Sequence, residues 1–121
     1  MNALGCPSAS AAMTTEHLEA FTDANFAAEV LGSRLPVLVD FSADWCPPCH
    51  VLRPVIGKLA DDYVGRLRVG VSDVDQNGEI ATRYRIHSLP TLLVFRGGNV
   101  VARVEGGLPR PRLDTLLARL L

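Results

Sequence analysis

The chain has 121 residues, of which 48% are hydrophobic and 21% are charged, which is enough apolar material for one compact domain with a single core. Its 12 basic and 13 acidic side chains nearly balance, and this argues against nucleic acid or an anionic membrane as the main partner. No segment is apolar for long enough to cross a bilayer, so a membrane-spanning protein is not expected either.

The first fifteen residues differ from the rest of the chain. Residues 1–15 are small and polar, and they lack the basic start and apolar stretch of a signal peptide. We predict a flexible tail over residues 1–15 and a single domain over residues 16–121. The cysteines are Cys6, Cys46 and Cys49, an odd number that is unlike a secreted, disulfide-stapled domain. One close pair favours a redox or metal motif in a reducing compartment, so we expect a cytoplasmic protein in which Cys6 is incidental.

The first part of the domain predicts a strand, a helix and a second strand. Residues 18–21 are predicted to form a short strand, and Asp23 is placed to cap a helix that ends near Gly32. Pro36 then opens the run Val37-Leu38-Val39-Asp40-Phe41. Its continuous apolar and β-branched residues indicate a strand buried on both faces, as in a parallel sheet. Asp40 is an unusual residue inside such a run.

The rest of the domain continues the alternation of helices and strands. Residues 52–63 carry apolar side chains at helical spacing, and Pro54 is predicted to kink this helix. A strand over 67–71, a turn and a short helix over 79–84 follow. A tight turn at Arg96-Gly97-Gly98-Asn99 predicts a hairpin, and leucines at helical spacing after Pro109 predict a final helix. This order indicates an α/β domain with a mixed sheet between helices.

The Cys46-Pro47-Pro48-Cys49 segment lies between a predicted strand and a predicted helix. Its spacing puts the two sulfurs on one face of the first helical turn, close enough to bridge. Cys46 lies at the helix start, where free backbone N–H groups and the helix dipole favour an anion. We therefore expect Cys46 to be the nucleophile and Cys49, one turn in and more buried, to be the resolving thiol.

A Cys-x-x-Cys segment alone leaves other interpretations open. The pair could be two ordinary thiols. A zinc site would need further ligands, and His17, His50 and His87 are scattered along the chain with no second cysteine pair. The string Cys46-Pro47-Pro48-Cys49-His50 also matches the attachment pattern of c-type haem, although it is followed by an apolar helix face that the core needs.

Several further motifs extend well beyond the cysteines. The run Val37 to Phe41 leads through Ala43 to Trp45-Cys46, Pro54 lies in the following helix, and Ser88-Leu89-Pro90-Thr91 and Gly106 come later. With these motifs the chain, from about Leu18 to its C-terminus, closely resembles the thioredoxin family. The resemblance implies the thioredoxin fold, a mixed central β-sheet flanked by helices on both faces, and dithiol–disulfide exchange as the activity.

The resemblance also implies roles for individual residues. Cys46 and Cys49 would form a redox-active disulfide, and Asp40 would accept a proton from Cys49. Pro90 would follow a cis peptide bond beside the disulfide, where the Leu89 backbone pairs with an extended substrate segment. The apolar docking surface would consist of Trp45, Pro47, Leu89, Pro90 and Gly106.

The family's partners follow from the same resemblance. Disulfide-containing proteins would be the substrates, and a thioredoxin reductase would return electrons from NADPH. The domain itself would need no bound cofactor or metal, would act as a monomer, and would serve electron transport and cell redox homeostasis.

Four positions depart from the family pattern. Pro47 stands where most members have Gly, from which we expect a less reducing couple. His50 replaces a Lys or Arg and could add pH-dependent charge near the thiolate. Val71 replaces a common Lys, which should raise the pKa of Asp40 further, and Ser42 replaces a frequent aromatic residue. Two alternatives therefore stay open: a specialised relative that oxidises or isomerises disulfides or serves one peroxidase, and a binding module in which redox turnover is secondary.

Overall fold

The computed structural model describes residues 17–121, and its elements follow the order predicted from the sequence. The predicted tail and Cys6 lie outside the described residues. None of the described helices is long and apolar enough to cross a membrane. The elements are β1 (Leu18–Ala20), a short π-helical segment (Ala27–Leu31), β2 (Val37–Ser42), α1 (Pro47–Asp62), β3 (Arg68–Asp73), α2 (Gly78–Arg83), β4 (Thr91–Arg96), β5 (Asn99–Glu105) and α3 (Arg110–Leu120).

The five described strands form one mixed sheet in the order β1-β3-β2-β4-β5. β1 and β2 run parallel to β3, whereas β4 runs antiparallel to β2 and β5 antiparallel to β4. The central strand β2 is buried along its whole length. This burial is what the continuous apolar run predicted, because a strand between two helical layers has no solvent face.

Helices cover both faces of the sheet, which confirms the predicted α/β architecture. On one face, α1 and α3 bury a cluster that includes Leu38, Leu52, Ile56, Leu59, Val69, Leu92, Leu113 and Leu117. On the other face, the π-helical segment and α2 close over Phe26, Val30, Val37, Val39, Phe41, Ile80 and Phe95. Successive residues of β2 alternate between the two clusters, so the even-numbered ones from Leu38 onward face α1.

The capping prediction for Asp23 is wrong. The side chains of Thr22 and Asn25 exchange hydrogen bonds with each other's backbone N–H groups, at 3.1 and 2.7 Å, and they stabilise the turn before the π-helical segment. The Asp23 carboxylate accepts instead from the backbone N–H groups of Glu79 and Ile80, at 3.3 and 3.0 Å. Asp23 therefore stabilises the first turn of α2, a helix distant in sequence.

The predicted hairpin between β4 and β5 is confirmed. Gly97 and Gly98 form its two-residue turn with φ angles of +60° and +84°. Two consecutive residues in the left-handed region give the turn whose twist matches a β-hairpin, and glycine adopts that region without a steric penalty.

Candidate active site

The cysteine pair lies where β2 leads into α1. Cys46 is the N-cap of α1, and Pro47 and Pro48 occupy the first helical positions. Proline is tolerated there because the first N–H groups of a helix have no intrahelical acceptor. The Cys46 sulfur accepts a hydrogen bond from the Cys49 backbone N–H at 3.3 Å. The helix start thus presents a donor to this sulfur, an arrangement that favours a thiolate.

Cys46 and Cys49 are joined by a disulfide, with their Cα atoms 5.3 Å apart. The predicted bridge between the two sulfurs is therefore present. The exposed fractions of the two residues are 3% and 1%, so burial barely distinguishes them in the disulfide form. The two cysteines are distinguished by their positions on the helix, because Cys46 caps α1 whereas Cys49 lies inside its first turn.

Asp40 is completely buried in the middle of β2, on the sheet face that α1 covers. Its neighbours across the sheet are Val71 on β3 and Leu92 on β4, and neither can donate a side-chain hydrogen bond. Neither carboxyl oxygen has a hydrogen-bond partner among the described residues. This burial raises the pKa of Asp40 from 3.8 to about 6, which agrees with the expectation of a carboxyl that is protonated more readily than usual.

Sequence reasoning missed Arg53, a cation beside Asp40. Its charge opposes the effect of burial and lowers the pKa of the carboxyl. Arg53 lies on α1, four residues after Cys49, and its Nη2 donates to the Ser42 hydroxyl at 3.1 Å. The spacing of four from Cys49 was the available signal, because it places both side chains on one helix face.

The residues around Cys46 form an exposed surface. The Trp45 side chain is 66% exposed, and its indole N–H donates to the Asp75 carboxylate at 2.7 Å. Pro47 is also exposed. His50 turns its Nε2 toward the Asp44 carbonyl oxygen at 2.6 Å, and since a carbonyl only accepts, Nε2 carries the proton.

Two further loops bring Leu89, Pro90 and Gly106 to the same region. Leu89 is half-buried and packs against the cluster of Ala43, Cys46 and Cys49. The Leu89–Pro90 peptide bond is cis, as the resemblance implied, and Pro90 itself is buried. The Gly106 N–H donates to the Pro90 carbonyl at 2.8 Å. The loop between β5 and α3 is thereby joined to the segment that packs on the disulfide.

Among the described residues, the side chains that could bind a metal ion are dispersed. Within residues 17–121, no three His, Cys, Asp or Glu side chains are grouped so that they could hold a metal ion. The three histidines are spread over the fold. His17 is hydrogen-bonded to the Asp61 carboxylate, and His50 is hydrogen-bonded to the Asp44 carbonyl.

A disulfide at a helix N-terminus, with a buried carboxyl on the adjacent strand, is an arrangement typical of a thiol–disulfide oxidoreductase. Residues 17–119 match the thioredoxin family model. A thioredoxin from Chlorobaculum thiosulfatiphilum is 51% identical over 89 residues, covering 74% of this chain and 82% of that protein. Thioredoxin 1 from Nostoc sp. is 43% identical over 98 residues, covering 81% and 92%. A thioredoxin from Pseudomonas aeruginosa is 40% identical over 103 residues, covering 85% and 95%.

The chain belongs to the thioredoxin family, and it is a disulfide oxidoreductase enzyme. Membership favours a redox role for the cysteine pair over the zinc, haem and ordinary-thiol interpretations.

Proposed function

We propose that the chain works as a protein disulfide reductase in the cytoplasm, where it supplies electrons for redox homeostasis. A thioredoxin reductase would return it to the dithiol form with electrons from NADPH, and the chain would act as a monomer. The observation that carries this proposal is the disulfide at the start of α1 with Asp40 buried in the strand that precedes it.

The first chemical step would use the Cys46 thiolate. Its sulfur attacks one sulfur of a substrate disulfide, so the substrate S–S bond breaks and a mixed disulfide forms between Cys46 and the substrate. The other substrate sulfur leaves as a thiolate and takes up a proton. The N-cap position of Cys46 and the N–H of Cys49 support this role, because both favour a negative sulfur.

The second step would use Cys49 and Asp40. The ionised Asp40 carboxyl accepts the Cys49 proton, and the Cys49 sulfur then attacks the Cys46 sulfur. The bond from Cys46 to the substrate breaks, the Cys46–Cys49 bond forms, and the substrate leaves with both sulfurs reduced. Two electrons have passed from the cysteine pair to the substrate. Because Cys49 is held one turn from Cys46, its effective concentration can reach about 10⁵ M or more.

The substrate would dock on the surface formed by Trp45, Pro47, Leu89, Pro90 and Gly106. This proposal is supported by the exposure of Trp45 and Pro47 and by the contact of Leu89 with the cysteine pair. Gly106 is hydrogen-bonded to the Pro90 carbonyl and has no heavy atom within 4 Å of its would-be Cβ, so an extended segment could approach its backbone.

The reductase activity is tested by the reduction of insulin disulfides with NADPH and a bacterial thioredoxin reductase. We expect the wild type to reduce insulin and Cys46→Ser to show no reduction, because it lacks the attacking sulfur. Cys49→Ser should accumulate the mixed disulfide with the substrate, which mass spectrometry detects. Cys6→Ser is the matched control and should turn over normally. Turnover by Cys46→Ser, or its loss in Cys6→Ser, would contradict the proposal.

The redox potential separates a reductase from the oxidase or isomerase alternative. We expect a couple that is less reducing than an ordinary thioredoxin at about −270 mV, because Pro47 replaces the usual Gly. A potential near about −180 mV, the value of disulfide isomerases, would favour the alternative instead. The measurement is equilibration of the chain with glutathione buffers of known ratio.

A further inference from the structure

We propose that Arg53, held by Ser42, is a positioning residue that keeps the Asp40 carboxyl ionised so that it can accept the proton of Cys49. This inference rests on the proposed role of Asp40 in the second step and adds to it the groups that prepare this carboxyl. Three observations carry it: the shared face of β2, the helical spacing from Cys49, and the charges around the adjoining cavity.

The strand places Ser42 beside Asp40. The two residues are two positions apart on β2, so both side chains point to the face that α1 covers. Both are buried, with exposed fractions of 0% for Asp40 and 1% for Ser42. The Arg53 guanidinium crosses from α1 to this face and donates to the Ser42 hydroxyl at 3.1 Å. The hydroxyl thereby fixes the cation next to the buried carboxyl.

The helix places Arg53 beside the resolving cysteine. Cys49 and Arg53 are four residues apart on α1, which puts them on one face, one turn apart. The Nε of Arg53 is buried without a hydrogen-bond partner among the described residues, and so are both carboxyl oxygens of Asp40. An unpaired donor and two unpaired acceptors of opposite charge therefore lie between α1 and β2, where a half-buried cation and a buried carboxyl are screened less than in water.

The cavity next to Ser42 and Val71 is lined by one positive and three negative side chains. This cavity of about 350 Å³ at this end of β2 is lined by Ser42, Val71 and Arg53, and its carboxylates are Glu19, Asp44 and Asp73. Among the described residues lining it, Arg53 is the only cation. Cys49 packs with Ala43 and Cys46 at the start of α1, and β4 contributes the apolar Leu92 beside Asp40. Without Arg53, the charged side chains that line this cavity would all be negative, and none of them could favour ionisation of Asp40.

The ionisation of Asp40 decides whether it can act as a base. Burial raises its pKa and the Arg53 charge lowers it, leaving a value of about 6. At neutral pH most molecules then carry the ionised carboxyl that can take the Cys49 proton. A neutral side chain at position 53 would shift this balance toward the protonated acid, which cannot accept a proton.

NMR titration of the Asp40 carboxyl carbon in the oxidised protein tests the electrostatic link without any turnover. We expect Arg53→Met to raise the pKa of Asp40 by about one unit, Ser42→Ala to raise it by less, and Arg53→Lys to stay closer to wild type. Arg119→Met is the matched control, since it removes the same charge from the exposed last turn of α3 and should leave Asp40 unchanged. The inference would be overturned if the pKa of Asp40 were unchanged in Arg53→Met, or if it rose equally in Arg119→Met.

The pH dependence of mixed-disulfide resolution separates this inference from the proposed function. We expect its inflection to move upward in Arg53→Met together with the Asp40 titration. An Asp40 titration that moves while the resolution profile stays fixed would contradict the catalytic role of Asp40 and support the link to Arg53. Should Arg53→Met fail to fold, Ser42→Ala decides: a higher Asp40 pKa supports the inference and an unchanged one overturns it.

Discussion

At the scale of single residues, the buried carboxyl of Asp40 lowers the stability of the fold at neutral pH but leaves a group that can accept a proton. Its pKa is raised from 3.8 to about 6 by burial. The folded protein therefore binds more protons than the unfolded chain between about pH 4 and pH 6. The contribution of Asp40 to stability is highest below this window, falls as the pH rises through it, and is level above it. The shift corresponds to about 3 kcal/mol, at about 1.4 kcal/mol for each pKa unit.

Asp40→Asn should therefore stabilise the protein and slow it. We expect the free energy of unfolding near pH 7 to increase by about 1–3 kcal/mol, with loss of the pH dependence between about pH 4 and pH 6. Insulin reduction should fall by at least about tenfold, because the amide cannot accept a proton. Urea unfolding of the oxidised protein and the insulin assay measure the two effects. Asp44→Asn, an exposed aspartate nearby, is the control, and an unchanged rate for Asp40→Asn would remove this residue from the mechanism.

The exposed side chain of Trp45 is expected to contribute to substrate binding but not to the chemical step or to stability. Because its side chain is 66% exposed, Trp45→Ala should change stability little. It should raise KM for a protein disulfide by roughly fivefold, equivalent to about 1 kcal/mol, and leave kcat nearly unchanged. Val64→Ala, at a 56% exposed apolar residue beyond α1, is the control. A lower kcat with the same KM would show that Trp45 does not act through docking.

The residues of the site differ in how far the sequence could reveal them. Cys46 and Cys49 follow from spacing at a helix start, and Asp40 from a charge inside an apolar run. Arg53 could not be assigned, because an arginine on a helix usually faces solvent and only the packing of α1 on β2 turns it toward Ser42. A residue's role in an electrostatic pair depends on contacts between elements that local patterns do not contain.

At the scale of elements, the site is held together by connections between segments that are distant in sequence. The Gly106 N–H joins the loop after β5 to Pro90, before β4. Asp23 caps α2 across the fold, although its sequence position indicated a cap for the nearer helix. Element types and order were predictable from periodicity, whereas this cap was not, since a carboxylate binds whichever free N–H groups the tertiary structure brings to it.

Gly106 and Gly97 make a matched pair for testing the loop after β5. Their φ angles are +85° and +60°, and a Cβ at either position would meet no heavy atom within 4 Å. Replacement by Ala should therefore cost each variant about 1–2 kcal/mol of stability through backbone strain alone. Only Gly106→Ala should also lower kcat/KM for a protein disulfide by severalfold, because its methyl group would project at the docking surface. Equal activity of the two variants would exclude Gly106 from that surface.

At the scale of the whole molecule, the sheet order places the chemistry at one end of the central strand. β2 is flanked by β3 and β4, and α1 begins directly after it, so Asp40, Cys46 and the cis-proline segment before β4 meet there. Alternating periodicities predicted a mixed sheet, but strand order is a property of pairing between distant segments, which these local patterns do not contain.

The predicted domain boundary lies between residues 1–15 and the domain over residues 16–121. The cysteine pair and Asp40 lie within residues 17–121, and the family match begins at residue 17. A chain that lacks residues 1–15 should therefore keep the free energy of unfolding within about 0.5 kcal/mol of the full chain. It should also reduce insulin disulfides with the same kcat/KM, because every proposed contact with substrate lies inside the domain. Urea unfolding and the insulin assay on both chains make the comparison, with full-length Cys6→Ser separating the loss of the third thiol from the loss of the segment. A truncated chain that folds as well as the full one but reduces insulin more slowly would assign residues 1–15 a part in substrate binding.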